Sequence, residues 1–408
     1  MAYDRFYRPG QMRLKEKDAL YIAPLCVLAV MLVISMFTGL WPWKTNFYNS
    51  YALQSDAWLH GRLDLGKDYE WLELAIFEGK YYVSFPPFPS YVLLPFSLFF
   101  GQATPDSLIC WVFSLIGVCS AVKMCLSLGT GPKLALFWTL YLYMGSGWLF
   151  LGQTGYVWFM AQSMAFALSL LSLQCALENK GGFSLGFWAC AVGCRPLVAI
   201  YLPLLFYLLR QHEKEKRIPT WIRSHLTWAI APCLIAFSYM LLNYLRFGNP
   251  MEFGHNYLPE FVRAPLGQFS LSYVPEHLRL LLRLPTIDAK SGALVFEKIE
   301  TSAFYLICPL TVSFFLSLIQ GIRSRRGGGL LVLVPVLLCL HVLFTCMHRT
   351  LGGFQFGNRY FVDLMPYLLL GLLSFRSPSE RFDFTQLPLL LFGFAVNFMG
   401  TIVTYNNW

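Results

Sequence analysis

The sequence predicts an all-α polytopic membrane protein, a bundle of about eleven transmembrane segments with two long extracytoplasmic loops. Three observations carry this. Of the 408 residues 56% are apolar and only 13% charged, about half the charge of a soluble domain. Apolar runs long enough to be helices recur along the whole chain. Lys and Arg gather on alternate sides of those runs, as the positive-inside rule requires.

Residues 1–18 form a basic tail (Arg5, Arg8, Arg13, Lys15, Lys17) expected in the cytoplasm. Residues 19–408 are expected to form one transmembrane domain. The run from Ala19 to Leu40 is long enough to cross about 30 Å of hydrocarbon. It ends in Gly39-Leu40-Trp41-Pro42-Trp43, an aromatic interfacial belt rather than a small-residue cleavage site, so it reads as a retained anchor. Further runs lie near 106–127, 134–151, 156–177, 183–194, 196–209, 226–245, 301–321, 329–346, 361–375 and 385–404. The pair around Arg195-Pro196 is short and reads as two half-length helices meeting in a break.

With the N-terminus inside, eighteen of the 31 Lys and Arg fall on inner segments and twelve on outer ones, with Arg195 at the break. The outer loops are nevertheless much longer, and the polar mass therefore faces the extracytoplasmic side in loops 41–105 and 246–300. The net charge of +9 forms no continuous stripe. It fits a lipid bilayer with anionic head groups, and no nucleic-acid partner is expected. All eleven Cys lie within or at the end of apolar runs and none in the long loops. They read as small buried thiols, not as a disulfide framework or a zinc site.

The first outer loop is too long for a mere connector. Asn49-Ser50 resembles a helix start, with a stop at Gly61, which sets Asp56 and His60 four apart on one helical face. Asp64, Asp68, Glu70 and Glu73 follow. Gly79-Lys80-Tyr81-Tyr82 then suggests a tight turn into an extended segment. Phe85-Pro86-Pro87-Phe88-Pro89 is expected to run extended into the membrane surface, and Ser90–Phe100 to form a re-entrant or interfacial helix.

Asp56 is a candidate base if partial desolvation moves its pKa toward neutrality; its simpler reading is a pair with His60 or a nearby Arg. Arg195 is expensive among apolar runs and needs an anion, and the nearest spans offer almost no carboxylate. A lipid phosphate would serve. Arg359 lies among glycines at the mouth of a span in Gly352-Gly353-Phe354-Gln355-Phe356-Gly357-Asn358-Arg359-Tyr360. Its alternatives are a phosphate contact and an intrahelical ion pair with Asp363. In the second loop, the stretch Arg246 to Tyr257, with Glu252 and His255, mixes turn glycines with aromatic and polar groups of the kind that bind sugars. Pro275 to Leu284 reads as an interfacial amphipathic helix, with Leu278, Leu281 and Leu282 on one face.

No phosphate-cradling Gly-Lys-Ser/Thr loop, His-Glu-x-x-His or Cys-x-x-Cys occurs. His341 is the only ionisable residue deep in a span and reads as a packing residue. Mid-depth carboxylates and paired broken segments, which an ion-coupled transporter would show, are not evident.

Five stretches taken in order resemble a known family: Ser55-Asp56-Ala57-Trp58-Leu59-His60-Gly61-Arg62-Leu63, Gly79-Lys80-Tyr81-Tyr82 with Phe85-Pro86-Pro87, Gly193-Cys194-Arg195-Pro196, Arg246-Phe247-Gly248-Asn249-Pro250, and Phe356-Gly357-Asn358-Arg359-Tyr360. With a first span, a long acidic outer loop and many spans joined by basic inner turns, the chain resembles the GT-C-fold, polyprenyl-phosphate-dependent glycosyltransferases, closest to the aminoarabinose-transferase and protein O-mannosyltransferase branch. The resemblance implies a GT-C-like bundle that moves a sugar from a polyprenyl-phosphate donor to an acceptor hydroxyl on a glycan, lipid or protein, outside the cell membrane. It implies Asp56 as the base or organiser of the acceptor, and Arg195 on the donor phosphate with Arg359 or Lys80 in support. His60, Glu73, Tyr81, Glu252 and His255 are the expected substrate contacts. The acidic pair seen in many members is reduced here to Asp56, so no divalent metal and no other cofactor is expected. A lipid-linked saccharide translocator or a non-catalytic accessory subunit is the alternative.

Overall fold

A computed structural model describes residues 14–214, 217–290, 292, 294–295, 303–376 and 384–407. The tail residues Arg5, Arg8 and Arg13 therefore lie outside the described residues. The first span is α1 (Glu16–Thr38), whose 23 residues rise about 35 Å. It closes on Gly39 at φ 70°, where the amide N–H returns to the Ser35 carbonyl. The following segment builds α2 (Ser50–Leu59), the hairpin β1 (Leu74–Phe77) with β2 (Lys80–Val83), and α3 (Phe88–Phe100).

The bundle continues with α4 (Asp106–Ser127), α5 (Pro132–Met144), the single turn α6 (Trp148–Leu151), α7 (Val157–Leu177) and α8 (Gly181–Val192). After a 3-10 stretch at 196–201 come α9 (Leu202–Arg210), α10 (Ile218–Ser224) and α11 (Ile230–Phe247). The segment after α11 carries the short α12 (Pro259–Val262) and α13 (Val274–Leu282). Then follow α14 (Phe304–Ile307), α15 (Leu310–Ser324), α16 (Leu330–Met347), α17 (Met365–Phe375) and α18 (Leu387–Asn406).

The apolar runs read from the sequence are largely helical where described, but 134–151 is broken at 145–147 and 301–321 at 308–309. Among the described residues, six helical segments (16–38, 106–127, 157–177, 226–247, 330–347 and 384–406) are long and apolar enough to cross a membrane, and α8 and α15 are shorter apolar helices. The chain is thus a multi-pass, all-α membrane protein. Its centre is α7, which is buried along nearly its whole length and is rich in small residues such as Ala161, Ser163, Ala165, Ala167 and Ser169. Small side chains let helices approach closely where lipid removes the hydrophobic drive to associate. A Cβ on Gly117 of α4 would stand 3.0 Å from Ala167 Cβ, which shows how tightly α4 lies on α7. The outer helices do the reverse: Leu234, Phe237, Tyr244 and Leu245 of α11 stay exposed. Cys233 and Cys339 share this outward apolar surface, so the expectation of buried thiols fails for these two. Polar atoms cost little there only if lipid contacts them as it would a small hydrophobe.

Two local expectations need correction. The segment Phe85–Pro89 is not extended throughout, because α3 already starts at Phe88 with Pro89 in its first turn. Proline is tolerated there because the first turn has no use for its N–H. In α13, Leu278 and Leu282 point outward while Leu281 turns inward beside the buried His277, so the three leucines do not share one exposed face.

Candidate active site

Three devices of local chemistry assemble one rim of the bundle. The first is the break after α8. Arg195 takes an extended conformation (φ −139°, ψ 101°) because Pro196 disfavours the helical region for the residue before it. The Gly193 carbonyl, freed at this break, accepts the Phe88 N–H at 3.0 Å and so ties the start of α3 to Arg195.

The second device is the hairpin. Glu78 and Gly79 both adopt positive φ (50° and 72°), the pattern of a type I′ turn, which sends β2 back along β1. Arg246, buried near the end of α11, donates from Nη1 to the Val83 carbonyl (3.0 Å) and from Nη2 to Asn243 Oδ1 (2.8 Å). Glu252 accepts from the Gly254 N–H (2.6 Å) and from Asn256 Nδ2 (2.8 Å), which shapes the turn that brings His255 Nδ1 to 2.9 Å from the Ser84 carbonyl.

The third is the loop before α17. Gly352 sits at φ 105°, and a Cβ there would stand 2.9 Å from Arg359 Nε, so glycine leaves room for the guanidinium. Arg359 is 6% exposed, yet its Nε and Nη1 have no hydrogen-bond partner among the described residues. The Tyr360 ring lies between two guanidinium groups, 4.8 Å from Arg195 Cζ and 5.0 Å from Arg359 Cζ. Trp158 and Phe159 of α7 face Arg359 at 6.0 and 5.7 Å.

Arg195 Nε donates to Asp363 Oδ2 at 2.9 Å, while Gln162 Nε2 donates to the other oxygen at 3.3 Å. Each carboxylate oxygen thus has a partner, while the two Nη groups of Arg195 have none among the described residues. This corrects two expectations. Arg195 does have an internal carboxylate, and Asp363 does not pair with Arg359. Residues 359–364 form a 3-10 helix, in which positions i and i+3 eclipse and i+4 is rotated away, so the i,i+4 pair of an α-helix is lost. Burial pushes the Arg359 pKa below its ordinary value, as expected of a cation without its counter-ion.

The fold has precedents. The Archaeoglobus fulgidus oligosaccharyltransferase in its apo form matches over 96% of this chain with a TM-score of 0.52 at 10% identity. ArnT from Cupriavidus metallidurans in the apo state matches over 86% with a TM-score of 0.48 at 15% identity. Both are GT-C-fold enzymes. The chain has a GT-C fold. It covers 56% of the first protein's length and 59% of the second's. No protein-family model matches the chain, and no curated protein matches it by sequence.

On this GT-C scaffold the expected site residues divide into groups. Arg195 and Arg359 meet around Tyr360. Glu73 approaches the same region, its Oε2 accepting from Trp158 Nε1 at 2.9 Å. His255 stands behind Phe85, at 5.5 Å between ring centroids. Asp56 is buried on α2 but is held elsewhere: Gln102 Nε2 donates to its Oδ2 at 3.0 Å, and His60 Nδ1 lies 3.7 Å from its Oδ1. It lines a cavity of about 230 Å³ with Arg62, Lys67, Tyr69 and Gln102. The structure gives Asp56 no contact with Arg195 or Arg359. Lys80 is exposed at the turn end of β2 and joins neither group; Tyr81 packs half-buried beside α2. Among the described residues no cluster of three metal-ligating side chains forms.

Sequence reasoning missed Trp158, Gln162 and His348. His348 Nδ1 lies 2.8 Å from the Thr350 carbonyl, and its ring is 6.4 Å from those of both His255 and Tyr360. A histidine just past the end of an apolar run was the available signal for it. Trp158 and Gln162 lie inside such a run and gave none.

Proposed function

We propose that this chain is a membrane glycosyltransferase that moves a sugar from a polyprenyl-phosphate donor to an acceptor hydroxyl at the extracytoplasmic face. The observation that carries the reading is Arg359, a buried guanidinium whose Nε and Nη1 donors are unpaired. An unpaired buried donor costs about 1–3 kcal/mol and more when charged, so an anion belongs beside it. Arg195, across the Tyr360 ring, adds an open fork. Guanidinium groups suit a phosphate because their planar donors match its oxygens in pairs. The GT-C fold supports the reaction class.

The chemistry is a displacement at the anomeric carbon. The acceptor oxygen attacks, the bond to the phosphate oxygen breaks, and Arg195 and Arg359 offset the charge that develops on the departing lipid phosphate. Inversion follows. Asp56 acts on the acceptor hydroxyl, as base or as anchor. The lipid tail lies between spans, and no soluble nucleotide site is needed.

Cells lacking the chain test this. A polyprenyl-phosphate-linked sugar accumulates and an envelope glycan loses a residue; wild-type chain restores both, and Arg359→Ala restores neither. Unchanged glycans with no donor build-up would overturn the reading. A translocator would instead trap the donor on the inner leaflet.

A further inference from the structure

His255 is held unlike the other candidates. A carbonyl oxygen can only accept, so the contact with Ser84 fixes the proton of the neutral ring on Nδ1 and leaves the lone pair on Nε2. Among the described residues Nε2 makes no hydrogen bond, and the side chain keeps partial exposure. The ring is fixed on its remaining sides by Phe261, stacked at 5.5 Å, and Phe85, edge-on at 5.5 Å. Asp56, by contrast, spends one oxygen on Gln102 and touches neither guanidinium.

We propose that His255, through Nε2, is the group that takes the proton from the acceptor hydroxyl. The inference rests on the transferase reading and resolves its open choice, leaving Asp56 as the anchor. In the step, the acceptor O–H bond breaks and its proton goes to His255 Nε2. The acceptor oxygen forms the new bond to the anomeric carbon. The electron pair of the old bond leaves on the phosphate oxygen, which faces the guanidinium pair.

The charged and titratable groups facing His255 are Glu73 from the first loop, Glu252 from its own turn, Arg195 from the break after α8, and His348 beyond α16. Burial lowers the imidazole pKa; Arg195 adds to this, and the two carboxylates oppose it. The ring is therefore neutral at pH 7, as a proton acceptor must be.

The test uses the full chain in lipid nanodiscs, lipid-linked sugars extracted from cells lacking it, and envelope fractions of those cells as acceptor. His255→Asn keeps a donor for the Ser84 carbonyl and removes Nε2. The wild-type rate should fall tenfold per pH unit below the histidine pKa, under 6.5. His255→Asn should lose about 10²–10⁴-fold in kcat with the donor KM little changed, and that acid limb should vanish. A variant that keeps kcat within about threefold and the same limb would overturn the inference. So would an acid limb that shifts or disappears in Asp56→Asn, a variant that decides the matter even if His255→Asn does not fold. If the wild-type chain transfers no sugar at any pH, the transferase reading falls, and this inference with it.

Discussion

Arg195 and Asp363 are 168 residues apart in the chain and meet at 2.9 Å, Nε to Oδ2. The pair joins the break after α8 to the turn leading into α17, across the central helix α7, from which Gln162 braces the same carboxylate. Asp363 is 4% exposed, whereas Arg195 stays half-open. The carboxylate thus holds one edge of the guanidinium and leaves the other edge facing the rim. An arginine locked in this way is a pre-oriented anion receptor.

Removing the carboxylate alone should therefore be worse than removing the pair. Asp363→Ala strands a cation and should cost about 3–5 kcal/mol, whereas Arg195→Met with Asp363→Leu should come near neutral for folding. Thermal unfolding in one detergent compares the two. Equal losses would mean that the pair does not behave as a buried unit. The double variant should fold but transfer nothing.

Arg359→Lys tests the second guanidinium. Lysine retains the charge but has neither the planar fork nor the reach along Gly352. Loss of two charge-assisted hydrogen bonds at about 1.5–3 kcal/mol each should lower kcat/KM for the donor by about 10²-fold or more. The fold should hold, since no protein group depends on Nε or Nη1. A lysine variant with normal donor kinetics would place the phosphate elsewhere.

How far the chain could be read in advance depended on the range of the interactions. The start of α2 at Asn49-Ser50, the tight turn before Lys80, the break at Arg195-Pro196 and the glycine termination of α11 (Gly248, φ 67°) all follow from residues within one turn of each other. The Arg195–Asp363 pair does not, because nothing local ties the two positions. The Asp363 error had a related cause: an α-helical i,i+4 rule was applied to residues that form a 3-10 turn. Asp56 lies on a helix four residues before His60, as the local signals predict. What packs against that helix, and so whether Asp56 meets the guanidinium pair, depends on distant segments that one helix in isolation does not reveal.

Asp56→Asn separates anchor from base. Asparagine keeps an oxygen for Gln102 Nε2, so local geometry should survive. Loss of one charge-assisted hydrogen bond, about 1.5–3 kcal/mol, should raise the acceptor KM about 10–100-fold. The acid limb of the pH profile should stay where it is. A limb that moves or disappears in Asp56→Asn would return the base role to this carboxylate.

His348 makes the stability of the rim depend on pH. Burial is the first cause that lowers its pKa from the ordinary 6.5 to about 4; His255, Arg195 and His277 push the same way, and the bond to the Thr350 carbonyl resists. Between those two values the unfolded chain binds a proton at this position and the folded chain does not. Stability therefore rises with pH across the window, is complete above about 6.5, and is lost as the pH falls toward about 4. His348→Asn retains a donor for Thr350 and has no proton to gain. The unfolding midpoint of the wild-type chain should drop between pH 7 and pH 4.5 more steeply than that of the variant, whose own slope comes from the other titrating groups, His255 among them. Parallel curves for the two proteins would show that His348 stays solvated and that the rim is more open than the packing of Phe261, Phe269 and Tyr360 around this ring requires.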